Sequence, residues 1–293
     1  MASESRTHQF VHLHAVLKKH YTPVAADPQR SVLEHLLFGC VLEDAHYEPA
    51  EESFAGLVHT FFDWNEVRVT SIAEMAEVMA SLPDPRRAAN RVKRVLHSLF
   101  ENNFSFDLEH LRKQNLGPTI QWLEKMDGTD RFVVAYVVQM GLGGHAIPLD
   151  AGTLGALHVV DYATEEDVAT GVVPGLERAV PKAKGVEFGS LLHQLGADFA
   201  ANPYSPKMRT LLLEVNPECK SRLPSRRDAK KAQSAARKAR QRKADSAASG
   251  KAAPDAGASR GKRSAAGKKK SAKASDAATS KATANQSTKP KPR

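Results

Sequence analysis

From Lys125 to Leu157 the chain reads KMDGTDRFVVAYVVQMGLGGHAIPLDAGTLGAL, and no other stretch limits the fold as much. A helical pattern from Pro118 to Met126 runs into the short turn Met126-Asp127-Gly128-Thr129-Asp130. A second pattern, Arg131 to Met140, is apolar nearly all round and predicts a buried helix. A glycine-rich loop, Pro148-Leu149-Asp150 and a third helical pattern from Ala151 follow. Gly128 lets the backbone turn tightly with positive φ at no steric cost. The first turn of the next helix leaves amide N–H groups unpaired, and these amides with the helix dipole can hold a phosphate. Asp150 stands where an N-cap stands.

The rest of the body is also read as helices. Residues 6 to 21 predict an amphipathic helix with Phe10, Leu13, Val16, Leu17 and Tyr21 on one side. Asp27-Pro28 reads as the opening of a helix from Ser31 to Glu43, and Pro49 as the opening of another to about Phe62. Ser71 to Glu74 is a capping box for a helix to about Leu82, and Asp84-Pro85 starts a basic helix, RRAANRVKRVLHSLF. Leu108 to Lys113 predicts a short helical piece. After Asp150 come helices to about Tyr162, from Thr164, over LERAV, from Val186 to about Phe199, and from Ser205-Pro206. No segment alternates as a strand does, so the predicted class is all-α.

Helix, glycine hairpin, buried helix and an Asp opening the next helix resemble the helix-hairpin-helix DNA glycosylases, the endonuclease III superfamily. The resemblance runs from about Ser31 to Pro224. It implies a two-lobed helical fold, duplex DNA or other nucleic acid as partner, and a hairpin grip on the DNA backbone through Gly128, Thr129, Asp130 and Arg131. Bifunctional members carry a lyase Lys in the first turn of the second helix and a catalytic Asp eighteen residues later. Here the Lys position is Phe132 and the Asp is Asp150. The resemblance therefore implies Asp150 as a catalytic carboxylate, stabilising positive charge on the sugar as the base leaves. A Schiff base needs an amine, which Phe132 lacks. Glu43, Asp44 and His46 lie where the family often places base-contacting residues; a solvated helix end is the favoured reading of them. The family's hairpin has two glycines and no acid, whereas Asp127 and Asp130 here repel a phosphate.

The family often ends in a four-cysteine iron–sulfur loop. Of the two cysteines, Cys40 and Cys219, only Cys219 lies in that region, so no iron–sulfur cluster and no other cofactor is expected. No metal site is expected either, because His8 and His12 lack a third ligand nearby.

The charge is divided along the chain. From Ser221 to Arg293 there are 22 Lys and Arg against 4 Asp, a net of +18. The remaining 20 basic and 29 acidic residues leave the body at −9. Leu223 is the one large aliphatic residue of the tail, which predicts disorder. The domains read as an N-terminal helical extension over 1–26, an endonuclease III-like body over 27–220 with its hairpin at 126–131, and a basic tail over 221–293. The tail clusters its charge at Lys230, Lys231, Arg237, Lys238, Arg240, Arg242, Lys243, Lys262, Arg263, Lys268, Lys269 and Lys270, interleaved with Ala, Ser and Gly. Such a tail resembles those of linker histones and binds phosphates by counterion release without reading sequence. A solubilising linker and a targeting signal are the alternatives.

No stretch approaches the roughly 20 apolar residues of a membrane span, and no apolar signal core opens the chain. The expectation is a monomeric intracellular protein, in the cytoplasm or nucleoid of a bacterium or the nucleus of a eukaryote. Three functions follow. The first is DNA binding on a glycosylase fold without catalysis, the tail supplying non-specific affinity. The second is an active monofunctional glycosylase using Asp150 in base-excision repair, and the third a protein-interaction scaffold.

Overall fold

The structure, a computed structural model, describes residues 6–25 and 27–227. Those residues form helices and turns with no strand, and none of the helices is long and apolar enough to cross a membrane. The tail positions from Lys230 to Lys270 singled out by the sequence lie outside the described residues.

Two hydrophobic cores divide the body. The first takes its side chains from residues 32 to 146. It is built from α2 (Val32–Leu42), α3 (Tyr47–Thr60), α4 (Trp64–Val69), α5 (Ile72–Val78), α6 (Pro85–Asn103), α7 (Leu116–Glu124) and α8 (Arg131–Tyr136). The second joins α1 (Arg6–His20) to α9 (Ala151–Val159), α10 (Glu165–Thr170), α11 (Leu176–Ala179), α12 (Lys182–Ala201) and α13 (Pro206–Val215). The helix that the sequence sets apart as an extension thus belongs to this core: Phe10, Leu13, Val16 and Leu17 are buried in it. Two carboxylates hold α1 down. Glu187 binds His14 at 3.1 Å and Lys18 at 2.7 Å, and Glu214 binds Lys19 and His20, each at 2.8 Å.

Helix starts follow the side chains that satisfy free amides. Ser31 and Glu34 close a capping box on α2, as do Ser71 and Glu74 on α5. Asp27-Pro28 therefore makes a turn ahead of α2 and does not cap it, because Ser31 has the capping hydroxyl in reach. Asp84 caps α6 with Pro85 at its first position, as the sequence predicts. The short helix α4, capped by Asp63, lies where the sequence shows too few apolar positions to register a period. The pattern Arg131 to Met140 is helical throughout, but its second half, Val137–Gly141, widens into a π turn.

Candidate functional site

The hairpin forms where the sequence places it. Gly128 takes φ +95, and a Cβ there would stand 2.8 Å from the Arg91 carbonyl and 2.9 Å from the Val95 nitrogen. The turn rests directly on α6, so glycine is required both by conformation and by space. Thr129 spends its hydroxyl inside the turn, donating to the carbonyls of Leu123 and Met126 at 2.7 and 2.8 Å. Asp130 caps α8 by accepting from the Val133 amide at 3.0 Å.

The carboxylates that mar the hairpin as a phosphate grip are each answered by an arginine of α6. Arg91 reaches Asp130 at 2.5 Å and also pairs with Glu43. Arg94 binds Asp127 through two nitrogens, the Nε contact at 2.8 Å. Arg87 binds Asp44 at 2.6 Å and Glu43 at 3.2 Å. These arginines occupy one face at helical spacing. A groove of about 450 Å³ runs along this face, with Lys125 at its edge. Arg87, Arg91 and Arg94, three of the four cations that line the groove, are thus paired with Glu43, Asp44, Asp127 and Asp130. Arg131 is not part of this groove. Its side chain lies over the turn at Gly171, where a Cβ would meet its Cδ at 3.3 Å.

Asp150 lies at the far end of the same unit. It caps α9, its Oδ1 accepting from the Thr153 amide at 2.6 Å. Its side chain has no exposed surface. His193 of α12 brings Nδ1 within 2.8 Å of Asp150 Oδ2, although off the line of a straight hydrogen bond. His193 Nε2 is 2.8 Å from the Ala45 carbonyl. A carbonyl oxygen only accepts, so Nε2 donates in this contact. Burial opposes the Asp150 charge, but His193 close by and the bond from Thr153 outweigh it and hold the carboxyl below the usual range.

Glycines bring α12 onto this carboxylate. A Cβ on Gly196 would stand 2.2 Å from Thr153 Oγ1 and 2.5 Å from Asp150 Oδ1, and one on Gly152 would stand 2.2 Å from the Gly196 carbonyl. No side chain fits at either position.

Aromatic rings close the remaining side. Tyr47 meets the His193 ring edge-on at 5.1 Å, and Phe132 lies tilted against it at 5.4 Å. Phe132 and Tyr136 stack at 6.3 Å. The space they enclose with Leu42 and Gln139 leaves no room for a water molecule. Burial, with Tyr136, Asp150 and Glu51 nearby, pushes the Tyr47 hydroxyl well above its ordinary range, so it stays neutral. Gln139 donates Nε2 to the Ala146 carbonyl at 2.6 Å, while its Oε1 is buried without a partner.

Of the base-contacting candidates, Glu43 and Asp44 are bound by arginine, and His46 crosses to Asp198 of α12 at 2.9 Å. Asp198 also holds Lys207 at 2.8 Å and Tyr21 at 2.9 Å. Cys40 lies in the first core and Cys219 in the second, so the two thiols do not fit a four-thiolate iron–sulfur cluster.

Sequence reasoning singles out Asp150 and passes over His193, Tyr47 and Gly196, which surround it. A signal exists: Gly152 and Gly155 in one helix, and Gly189 and Gly196 in another, are costly there unless backbones approach closely. It does not say which helix meets which.

No protein-family model matches the sequence, and no curated protein sequence matches it. Solved structures do. Endonuclease III trapped as a covalent intermediate with DNA aligns with a TM-score of 0.55 at 15% identity, covering 76% of this chain and 100% of that one. A non-covalent endonuclease III–DNA complex aligns with a TM-score of 0.55 at 16% identity, covering 75% and 99%. Hairpin, buried helix and capping Asp are thus embedded in two helical lobes, and the chain has the helix-hairpin-helix fold of endonuclease III.

Proposed function

We propose that this chain is a DNA-binding protein on the glycosylase fold whose base-excision centre is closed, with affinity supplied by its basic tail. The closure of Asp150 carries the reading. A glycosylase draws a nucleotide out of the stack into a pocket beside its carboxylate. Here the carboxylate is sealed by His193 and Thr153, and Tyr47, Phe132 and Tyr136 fill the space in front. Phe132 has no amine with which to form a Schiff base. The hairpin face, its arginines paired with carboxylates, offers a phosphate little net attraction. The 22 basic residues from Ser221 onward offer it by counterion release.

An active monofunctional glycosylase is the second reading. In its favour, the surroundings hold the Asp150 carboxyl below its usual range, which favours the anion that a cationic transition state needs. That reading requires Tyr47 and Phe132 to swing away from His193.

Two measurements decide. Duplex binding across a salt series, with the full chain and with the chain ended at Arg227, should show most of the affinity and salt slope leaving with the tail. A base-release panel on duplexes carrying common lesions, with borohydride trapping on abasic DNA, should show neither release nor adduct. Release by the wild type that disappears in a normally folded Asp150→Asn variant would establish the second reading.

A further inference from the structure

The side of α8 facing away from Asp150 borders a cleft of about 540 Å³, larger than any space at the hairpin and in the range of ligand sites. It lies between the lobes. Val134 and Val138 line it from the first core, and Ile147, Val173 and Leu176 from the second. Phe132, Tyr136 and Gln139 point the other way, into the closed centre. The cleft and the Asp150 site are therefore separate sites on opposite faces of one helix.

Two further features point to an occupant. Val172, 41% exposed, stands on its second-lobe edge without cover. The mouth also carries charge of both signs on both walls: Glu124 and Arg131 on the first-lobe wall, Glu177 and Arg178 on the second. Among the described residues none of these four makes an ion pair, whereas Arg87, Arg91 and Arg94 on the hairpin face are all paired. The second-lobe wall is itself fixed in place. Arg6 donates to the Pro174 carbonyl at 2.7 Å, and His145 Nε2 lies 2.8 Å from the Glu177 carbonyl.

We propose that this cleft binds a short peptide segment of a protein partner, with apolar side chains on the floor and one acidic and one basic residue at the mouth. An apolar anion would satisfy the two arginines but meet two carboxylates, and a polybasic segment would meet the reverse. A peptide carrying both signs pairs with all four groups and covers the apolar floor. It needs no DNA and no opening of the Asp150 centre, so it stands whether or not the proposed function holds.

The test is selection of random heptapeptides on the full-length protein, counter-selected on full-length Arg131→Glu/Arg178→Glu. The tail is identical in both, so acidic peptides that merely bind the tail are discarded. Selected peptides should carry apolar residues flanked by opposite charges. They should bind the wild type at least tenfold more tightly than the double variant or Val172→Glu, with melting temperatures unchanged. Exchanging the acidic flank for Lys should restore binding to the double variant. The proposal is overturned if no peptide survives counter-selection. It is overturned equally if survivors bind Val172→Glu as well as the wild type, or if sedimentation shows a dimer that Val172→Glu dissolves.

Discussion

The hairpin and the Asp150 centre hold their carboxylates in opposite ways. The hairpin carboxylates are open to solvent and paired with arginines. The Asp150 carboxylate is buried. At the hairpin a glycine seats the turn on α6, and arginines of the same helix neutralise the carboxylates beside it. At Asp150 glycines seat α12 on the carboxylate, and rings cover what remains. Backbone geometry and chemical function are thus separable. Close helix packing preserves the first, and the second depends on which polar groups stay unpaired and reachable.

The largest effect should come from filling the contact between α9 and α12. Gly196→Val places atoms where Thr153 and Asp150 already stand and should cost roughly 3 kcal/mol or more, read as a large fall in melting temperature or loss of folding. A folded, near wild-type protein would mean that the Asp150 side yields as easily as an open site.

Next is Asp150→Asn. The amide keeps a cap on α9 but leaves His193 without its anion, so about 3 kcal/mol should be lost in denaturant unfolding. Asp150→Asn combined with His193→Gln should recover part of the loss. A cost near zero for Asp150→Asn alone would reduce the residue to an ordinary cap.

His35 tests the ground between the two regions, since it packs between α2 and the π turn at Gly141. Burial, with Arg30 and Arg112 near it, pushes this imidazole down to about 4. The unfolded chain takes up a proton near the ordinary value of about 6.5, before the folded one does. The native state should therefore lose about 2 kcal/mol as pH falls from about 6.5 to 4, the His35 contribution to the slope fading out by about one unit above that window. His35→Leu should flatten that part of the curve, and an unchanged curve would assign the slope elsewhere.

The smallest effect belongs to the hairpin. Arg94 and Asp127 are exposed, so Arg94→Ala should leave the melting temperature nearly unchanged. Asp127→Asn should raise duplex affinity by a few-fold at low salt, by freeing Arg94 for phosphate. No gain would mean that charge cancellation is not what limits the hairpin.

Much of this was legible in the sequence, for local reasons. Capping boxes, Asp-Pro starts and the apolar run after Gly128 act within a few residues, so most helices fall where the patterns place them. The Asp spacing is likewise local. What seals Asp150 is not: His193 is 43 positions away, Tyr47 is 103 away, and only tertiary packing brings them together. The ion pairs of α6 were hidden for the same reason. The sequence shows a basic helix but not the acids that face it.

The placement of α1 bears on how the chain assembles as it is made. The first core draws on one unbroken stretch, from Val32 to Ala146, and can condense once that stretch has left the ribosome. The second core is split. Phe10, Leu13, Val16 and Leu17 are synthesised first, yet the helices that cover them end only at Val215. The opening helix must therefore wait with an apolar face bare while about two hundred residues are added. The contacts that hold it, from Glu187 and then Glu214, become possible only at the end of that interval.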